Sequence, residues 1–211
     1  MKVIVTCGPS YEPIDEVRRL TNFSTGELGV LLAEELARAG HSVICLKGSG
    51  ATFPGPGPAC QTRPFHTNDD LLAILEELSA TTEIGALFHA AALCDYRVAR
   101  VEDDSGAALN TPKISSRSGA LTLHLEPATK VIHELRRLFP RARLTGWKYE
   151  LAGTRDEALV RVQRQFREAG TNACVLNGRA WGDGFALVEA TGSLTEWSNK
   201  TALARALATG L

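Results

Sequence analysis

Short apolar runs alternating with amphipathic stretches constrain this 211-residue chain more than any single motif does. The runs KVIVT (2–6), HSVICL (41–46), IGALFHA (84–90), ARLTGW (142–147) and NACVLN (172–177) are short, mainly apolar and partly β-branched. That is the pattern of strands covered on both faces. Between them, residues 27–39, 69–79, 130–138 and 155–169 carry apolar side chains three and four apart, with charge on the opposite side. Parallel strands need a crossover, and a helix supplies it, so the pattern predicts βαβ units. The expected fold is a Rossmann-like three-layer α/β architecture with a mostly parallel central sheet, built as one domain over residues 1–211.

Local signals place the boundaries. Asn68 before Asp69 and Asp70 reads as a helix cap with an acidic first turn, and Gly40 and Gly170 stand where left-handed C-terminal caps belong. Residues 48–61 are too rich in Gly and Pro for regular structure and read as a surface loop. Residues 97–118 lack periodicity and follow a strand end, where open parallel sheets bind their ligands, so they predict a lid or an interface arm. Residues 120–126 alternate with period two, the signature of an antiparallel edge or dimer-contact strand. FALVE and LTEWS predict a hairpin, and residues 199–207 a final helix.

Composition excludes several function classes. Lys and Arg number 23 against 24 acidic residues and are spread along the chain, so the basic footprint of a nucleic-acid binder is missing. The five cysteines are far apart with no Cys-x-x-Cys pair, which argues against zinc or disulfides and for a reducing cytoplasm. No stretch approaches the roughly 20 apolar residues of a membrane span, and residues 2–6 start a strand with no signal-peptide pattern before them.

The chemistry concentrates after the first strand. A glycine-bearing loop from Gly8 leads to a helix near Glu27, offering backbone N–H groups and a positive dipole end to phosphates. The dinucleotide fingerprint G-x-G-x-x-G is absent, so a plain NAD protein is disfavoured. Ser24, Thr25 and Gly26 are placed to line a triphosphate; the competing reading is that Ser24 or Thr25 only caps the helix. Arg18 can grip a carboxylate or phosphate and Asn22 can donate to an acyl oxygen. In HAAALCDYR the small Ala92 lets a ligand approach the backbone and Asp95 can accept from ribose, whereas His89 reads as a partly buried strand residue. Lys113 in the overhanging loop can neutralise phosphate charge, and Lys148 stands at a strand end beside Trp147. Tyr96 and Trp147, on their own positions, read as packing residues, and Glu150 as a partner for Lys148.

These stretches resemble the phosphopantothenate-cysteine ligase family, the synthetase half of the bacterial bifunctional coenzyme A flavoprotein and its free-standing relatives. EPIDEVRRLTNFSTGELG is similar to that family's E-P-[IL]-D-x-V-R-x-[IL]-[ST]-N-x-S-[ST]-G signature, AALCDYR to its A-A-[VL]-[AS]-D-[YF] stretch, PKISS to its lysine loop and GWKYE to the F-K-L-[EL] form of free-standing members. The resemblance implies ligation of 4′-phosphopantothenate to cysteine through an acyl-nucleotidylate, with Mg2+ and CTP or ATP and without flavin. It implies Asn22 at the acyl group, Arg18 and Ala92 in the second step, Lys113 at the phosphates and intermediate, Asp95, Trp147 and Lys148 at the nucleotide, and Gly8, Ser24, Thr25 and Gly26 along the phosphates. It implies a homodimer built on the region after the third strand, and names no metal ligand.

Three positions depart from the family pattern: Glu27 replaces a basic residue, EPATK (126–130) replaces N-P-D, and Ser115 replaces the second lysine of the lysine loop. A non-catalytic nucleotide-binding paralogue is therefore one rival reading. An NADP-dependent short-chain-dehydrogenase-like enzyme is the other, although its Tyr-x-x-x-Lys is missing at both Tyr96 and Tyr149.

Overall fold

The computed structural model describes residues 1–211. Its main sheet has eight strands: β1 (Lys2–Cys7), β4 (Ser42–Gly48), β5 (Cys60–Phe65), β6 (Ala86–His89), β9 (Arg143–Tyr149), β10 (Ala173–Gly178), β11 (Gly182–Glu189) and β12 (Leu194–Trp197). Their order is β12-β11-β10-β9-β6-β1-β4-β5. The six from β5 to β10 are parallel, and β11 and β12 add the expected hairpin at one edge. Val3, Ile4 and Val5 have no exposed surface, as a strand covered on both faces requires.

Helices cover both faces. Helix α1 (Glu27–Arg38) and α5 (Lys200–Thr209) pack with Val3, Val5, Val43 and Phe88 on one side. On the other, α2 (Asn68–Thr81) and α3 (Val131–Leu138) bury Ile4, Ile44, Leu87 and Leu144, and α4 (Arg155–Ala169) covers Cys174 and Leu176. Truncating a core residue such as Leu87 would remove its transfer free energy and leave a cavity, at a cost of about 2–5 kcal/mol. Thr154 and Glu157 close a capping box at the start of α4, and Gly170 ends that helix with a left-handed φ of 61°.

Some expectations fail for identifiable reasons. Asn68 is not a cap: Thr67 accepts from the Asp70 amide, and Asn68 is drawn inward as the first residue of α2. The loop expected over residues 48–61 ends early, because Cys60 already begins β5; polar exposed positions along this edge strand hide its period. Residues Tyr96–Glu102 are not irregular but form β7, paired antiparallel with β8 (Thr122–Pro127) in a ribbon outside the main sheet. Tyr96 there is 54% exposed, so it is not a packing residue. A second small ribbon, β2 (Tyr11–Pro13) with β3 (Arg19–Thr21), occupies the long loop after β1.

Candidate active site

The chain runs from β1 to β4 and β5 on one side, then returns to β6 on the other, so the sheet's topological switch point lies between β1 and β6. Their exits stay tied together past the strands. The Ala90 amide donates to Thr6 O (3.0 Å) and the Ala92 amide to Gly8 O (2.9 Å), with a further bridge between Pro9 and Ala92. A buried polar relay locks the junction. Asn68 accepts from the Ser10 hydroxyl (2.7 Å) and donates to Cys94 O (2.8 Å) and Thr129 O (3.0 Å), while Ser10 Oγ accepts from the Cys94 amide (2.8 Å). Every member is satisfied, which fixes four chain segments around one point.

Gly8 and Gly26 make a cradle on the α1 side. Both have φ near 80°, and a Cβ on Gly8 would come within 2.6 Å of Ala51 Cβ, so glycine is required by backbone angle and by space. Gly26, not Ser24 or Thr25, is the N-cap of α1, and no side chain closes the helix; the Thr25 hydroxyl reaches only the Glu27 amide at 3.3 Å. The Leu28 and Gly29 amides therefore have no protein acceptor, and they point with the helix dipole at whatever occupies the cradle. Glu27, the first residue of α1, is engaged elsewhere. Its carboxylate pairs with the Lys200 ammonium at the first residue of α5, which neutralises its negative charge.

Asn22, exposed, donates its amide hydrogens to Leu93 O (2.8 Å) and Ala92 O (3.4 Å), which leaves Oδ1 as its unbonded atom. Asn22 and Ala92 thus meet at the switch point. Arg18 does not reach them as a free cation: its guanidinium holds Asp15 and the Ile114 carbonyl (3.1 and 3.2 Å). Asp15 in turn accepts from the amides of Val17 (2.8 Å), Arg18 and Ile114 (3.1 Å), and the Glu16 amide donates to Pro112 O (3.0 Å). These bonds dock the loop carrying Lys113 onto the signature segment. Lys113 itself is exposed and has no ion pair.

Burial opposes ionisation of Asp15, but the donated backbone amides and the Arg18 charge outweigh it and hold the carboxyl below its ordinary value of 3.8. A depressed folded-state value means that docking is fully present above the ordinary value and is lost as pH falls through the lower one. We predict that trypsin nicking at Lys113 and Arg117 is slow in the wild type at neutral pH, where the Asp15 carboxylate is ionised and the loop is docked. Asp15→Asn exchanges an acceptor for a donor against these amides and is expected to accelerate nicking about tenfold at neutral pH. Equal rates for the two proteins would rule out the docking role.

Past Asp95 a cavity of about 170 Å³ opens at the C-terminal ends of β6 and β9, between the starts of α2 and α3 and the flank of α4. Asp95 and Lys130 pair at its mouth, and Trp147 and Lys148 border it from β9. The Trp147 side chain also packs into the α1 and α5 core. Glu150 does not pair with Lys148; it holds Arg161 at 2.8 Å, which leaves the Lys148 ammonium without an acidic partner. His89, expected to be partly buried, is 7% exposed, and burial pushes its pKa down to about 4. A larger hollow of about 440 Å³, lined by residues 79–84 and 138–142, lies at the opposite end of the strands, far from the signature residues.

The sequence reading missed Asp15, Ser10, Asn68 and Lys130 as site-building residues. Asp15 was findable as part of EPIDEVRRL; Ser10 and Asn68 were not, because their partners lie 58 and more positions apart.

Residues 1–208 match the family described as the DNA/pantothenate metabolism flavoprotein C-terminal domain. The coenzyme A biosynthesis bifunctional protein CoaBC of Thermococcus kodakarensis is 29% identical over 177 residues, 83% of this chain and 41% of that protein. The chain therefore spans about two fifths of the length of that curated relative. The crystal structure of the DNA/pantothenate metabolism flavoprotein from Streptococcus pneumoniae superimposes with a TM-score of 0.85 at 26% identity, covering 100% of this chain and 97% of that one. A Cab2 mutant in complex with phosphopantothenate-cysteine shares the fold at 18% identity, with a TM-score of 0.75 over 98% of this chain and 83% of its own. With nearly its whole length matched, the chain belongs to the DNA/pantothenate metabolism flavoprotein C-terminal domain family.

Proposed function

We propose that this chain is a phosphopantothenate-cysteine ligase of coenzyme A biosynthesis. The observation that carries the reading is the meeting of Asn22 and Ala92 at the switch point, beside a cradle of unpartnered helix amides and under a docked lysine loop. The phosphopantothenate carboxylate attacks the α-phosphate of CTP or ATP and pyrophosphate leaves; the cysteine amine then attacks the acyl carbon and the nucleoside monophosphate leaves. Much of such catalysis is positioning and charge stabilisation.

The Leu28 and Gly29 amides, with Gly8, Ser24, Thr25 and Gly26 around them, hold phosphate oxygens. Lys113 neutralises charge on the leaving pyrophosphate. Asn22 offers Oδ1 to an N–H of the substrate or of the incoming amine, its amide hydrogens being spent on the backbone. Arg18 acts by tying down the lysine loop, and Asp95, Trp147 and Lys148 border the nucleotide. No group of three or more His, Cys, Asp or Glu side chains could cage a metal, which fits Mg2+ carried on the triphosphate; bound there it would screen the phosphate charge. The Glu27–Lys200 pair weakens one of the grounds for a non-catalytic paralogue, the other being the EPATK segment.

The test is pyrophosphate release with Mg2+, 4′-phosphopantothenate and cysteine, run with CTP and ATP separately, with the cysteine adduct followed by mass spectrometry. Release that depends on phosphopantothenate supports the reading; silence with both nucleotides from folded protein overturns it.

The working unit is a homodimer. Leu121, Leu123 and Leu125 expose 36–46% of their surfaces at alternating positions entering and along β8, an apolar row that water alone covers poorly. Leu123→Asp is expected to shift the protein to monomer in sedimentation at micromolar concentration; an unchanged dimer would place the contact elsewhere.

A further inference from the structure

Beside the glycine cradle stands a charged side chain that the scheme above leaves unused. Lys47 is the penultimate residue of β4 and is half-buried. Side chains alternate across a strand, so Lys47 leaves the sheet on the same face as Cys45, the face that α1 covers. Its ammonium donates to Ala51 O (3.0 Å) in the loop that follows the strand. Ala51 is also the residue that closes the cradle, since a Cβ on Gly8 or on Gly26 would come within 2.6 or 3.0 Å of its methyl. The Phe53 amide donates to Thr25 O (3.0 Å), and any side chain on Gly48 would strike the Pro9 carbonyl. Loop 48–53 is thus pressed against the cradle, and the Lys47 ammonium is fixed at its rim.

Position and charge are at odds there. The N-terminus of α1 is the positive end of the helix dipole, where a cation is unfavourable and an anion favourable. Lys200, the ammonium at the first turn of α1, is matched by the Glu27 carboxylate. Lys47 has no such match, and its one partner is a neutral carbonyl. A neutral donor would brace Ala51 without bringing a charge to that end of the helix. The free Leu28 and Gly29 amides and the uncompensated ammonium therefore ask for the same occupant, an anion held between them.

We propose that Lys47 is a phosphate-binding residue of the cradle, its ammonium keeping the Ala51 carbonyl as one acceptor and giving a second hydrogen to a triphosphate oxygen. An ammonium has three hydrogens, so both contacts are made at once. The sheet order says which phosphate. Asn22 and Ala92 set the reacting end at the β1–β6 switch point, and β4 lies on the far side of β1. The phosphate that meets Lys47 is therefore β or γ, the part that leaves as pyrophosphate. The proposal rests on the nucleotide-dependent ligase reading and adds a cation on the β4 side of the same site.

The experiment is calorimetric titration of the full chain, with Mg2+ present, against inorganic tripolyphosphate, CTP, ATP, CMP and AMP. Lys47→Gln keeps a donor for Ala51 O and removes the charge. It is expected to weaken tripolyphosphate and the triphosphates about tenfold or more and to leave the monophosphates within about threefold. The melting temperature of the unliganded protein should hardly change, and the deficit should narrow as salt is raised, because it comes from charge. Lys47→Arg should recover most of the affinity. Wild-type tripolyphosphate affinity in Lys47→Gln, or an equal loss for mono- and triphosphates, would show that the side chain only braces the loop and overturns the proposal alone. Wild-type protein that binds neither tripolyphosphate nor a nucleoside triphosphate overturns it together with the ligase reading.

Discussion

Lys113→Gln is expected to lower kcat for pyrophosphate release about 100- to 1,000-fold, the range seen when one preorganised charge or donor is removed from a transition state. The size follows from what Lys113 does not do. It is exposed, makes no ion pair, and so contributes little to stability; a change there should move the melting temperature hardly at all. Glutamine has similar reach but no charge, so the loss would report electrostatic stabilisation of the leaving phosphate. Steady-state kinetics beside a thermal melt measures both quantities. Lys113→Arg should recover part of the rate, because charge is kept while geometry changes. Turnover within threefold of wild type in Lys113→Gln would show that the ammonium does not face the phosphates.

The same residue illustrates what sequence can and cannot say. The parallel sheet was legible because Val3, Ile4 and Val5, and Cys174, Val175 and Leu176, are apolar without alternation, and only a doubly covered strand tolerates that. Strand β5 was not, since Gln61, Thr62, Arg63 and Pro64 along an edge obey solvent and not the core. The glycine cradle was readable from Gly8 and Gly26, whose positions demand positive φ. The docking of Lys113 was not, because the Asp15 carboxylate and the Ile114 amide are 99 residues apart and no local rule pairs them. Arg18 shows the cost: by residue type it suits a substrate carboxylate, yet Asp15 and the Ile114 carbonyl already occupy it.

Asn22→Asp tests the other half of the site, and its expected effect is a loss in kcat/KM of at least about 100-fold with the fold retained. The amide hydrogens of Asn22 meet two backbone carbonyls, Leu93 O at 2.8 Å and Ala92 O at 3.4 Å. A carboxylate puts lone pairs against lone pairs there, so the side chain must swing away or take up a proton. It also sets a negative charge beside a triphosphate and a substrate carboxylate, all in a site built to attract anions. These two effects separate by pH. Protonation restores one O–H donor for the Leu93 carbonyl and removes the charge, so residual activity of the variant should rise, relative to wild type, as pH falls toward the carboxylate range. Asn22→Ala provides the control: it loses the backbone anchor without adding charge, and its deficit should be smaller and share the wild-type pH profile. A variant with wild-type kcat/KM, or a deficit in Asn22→Asp no larger than in Asn22→Ala at every pH, would show that the residue positions the loop without lying next to the reacting groups.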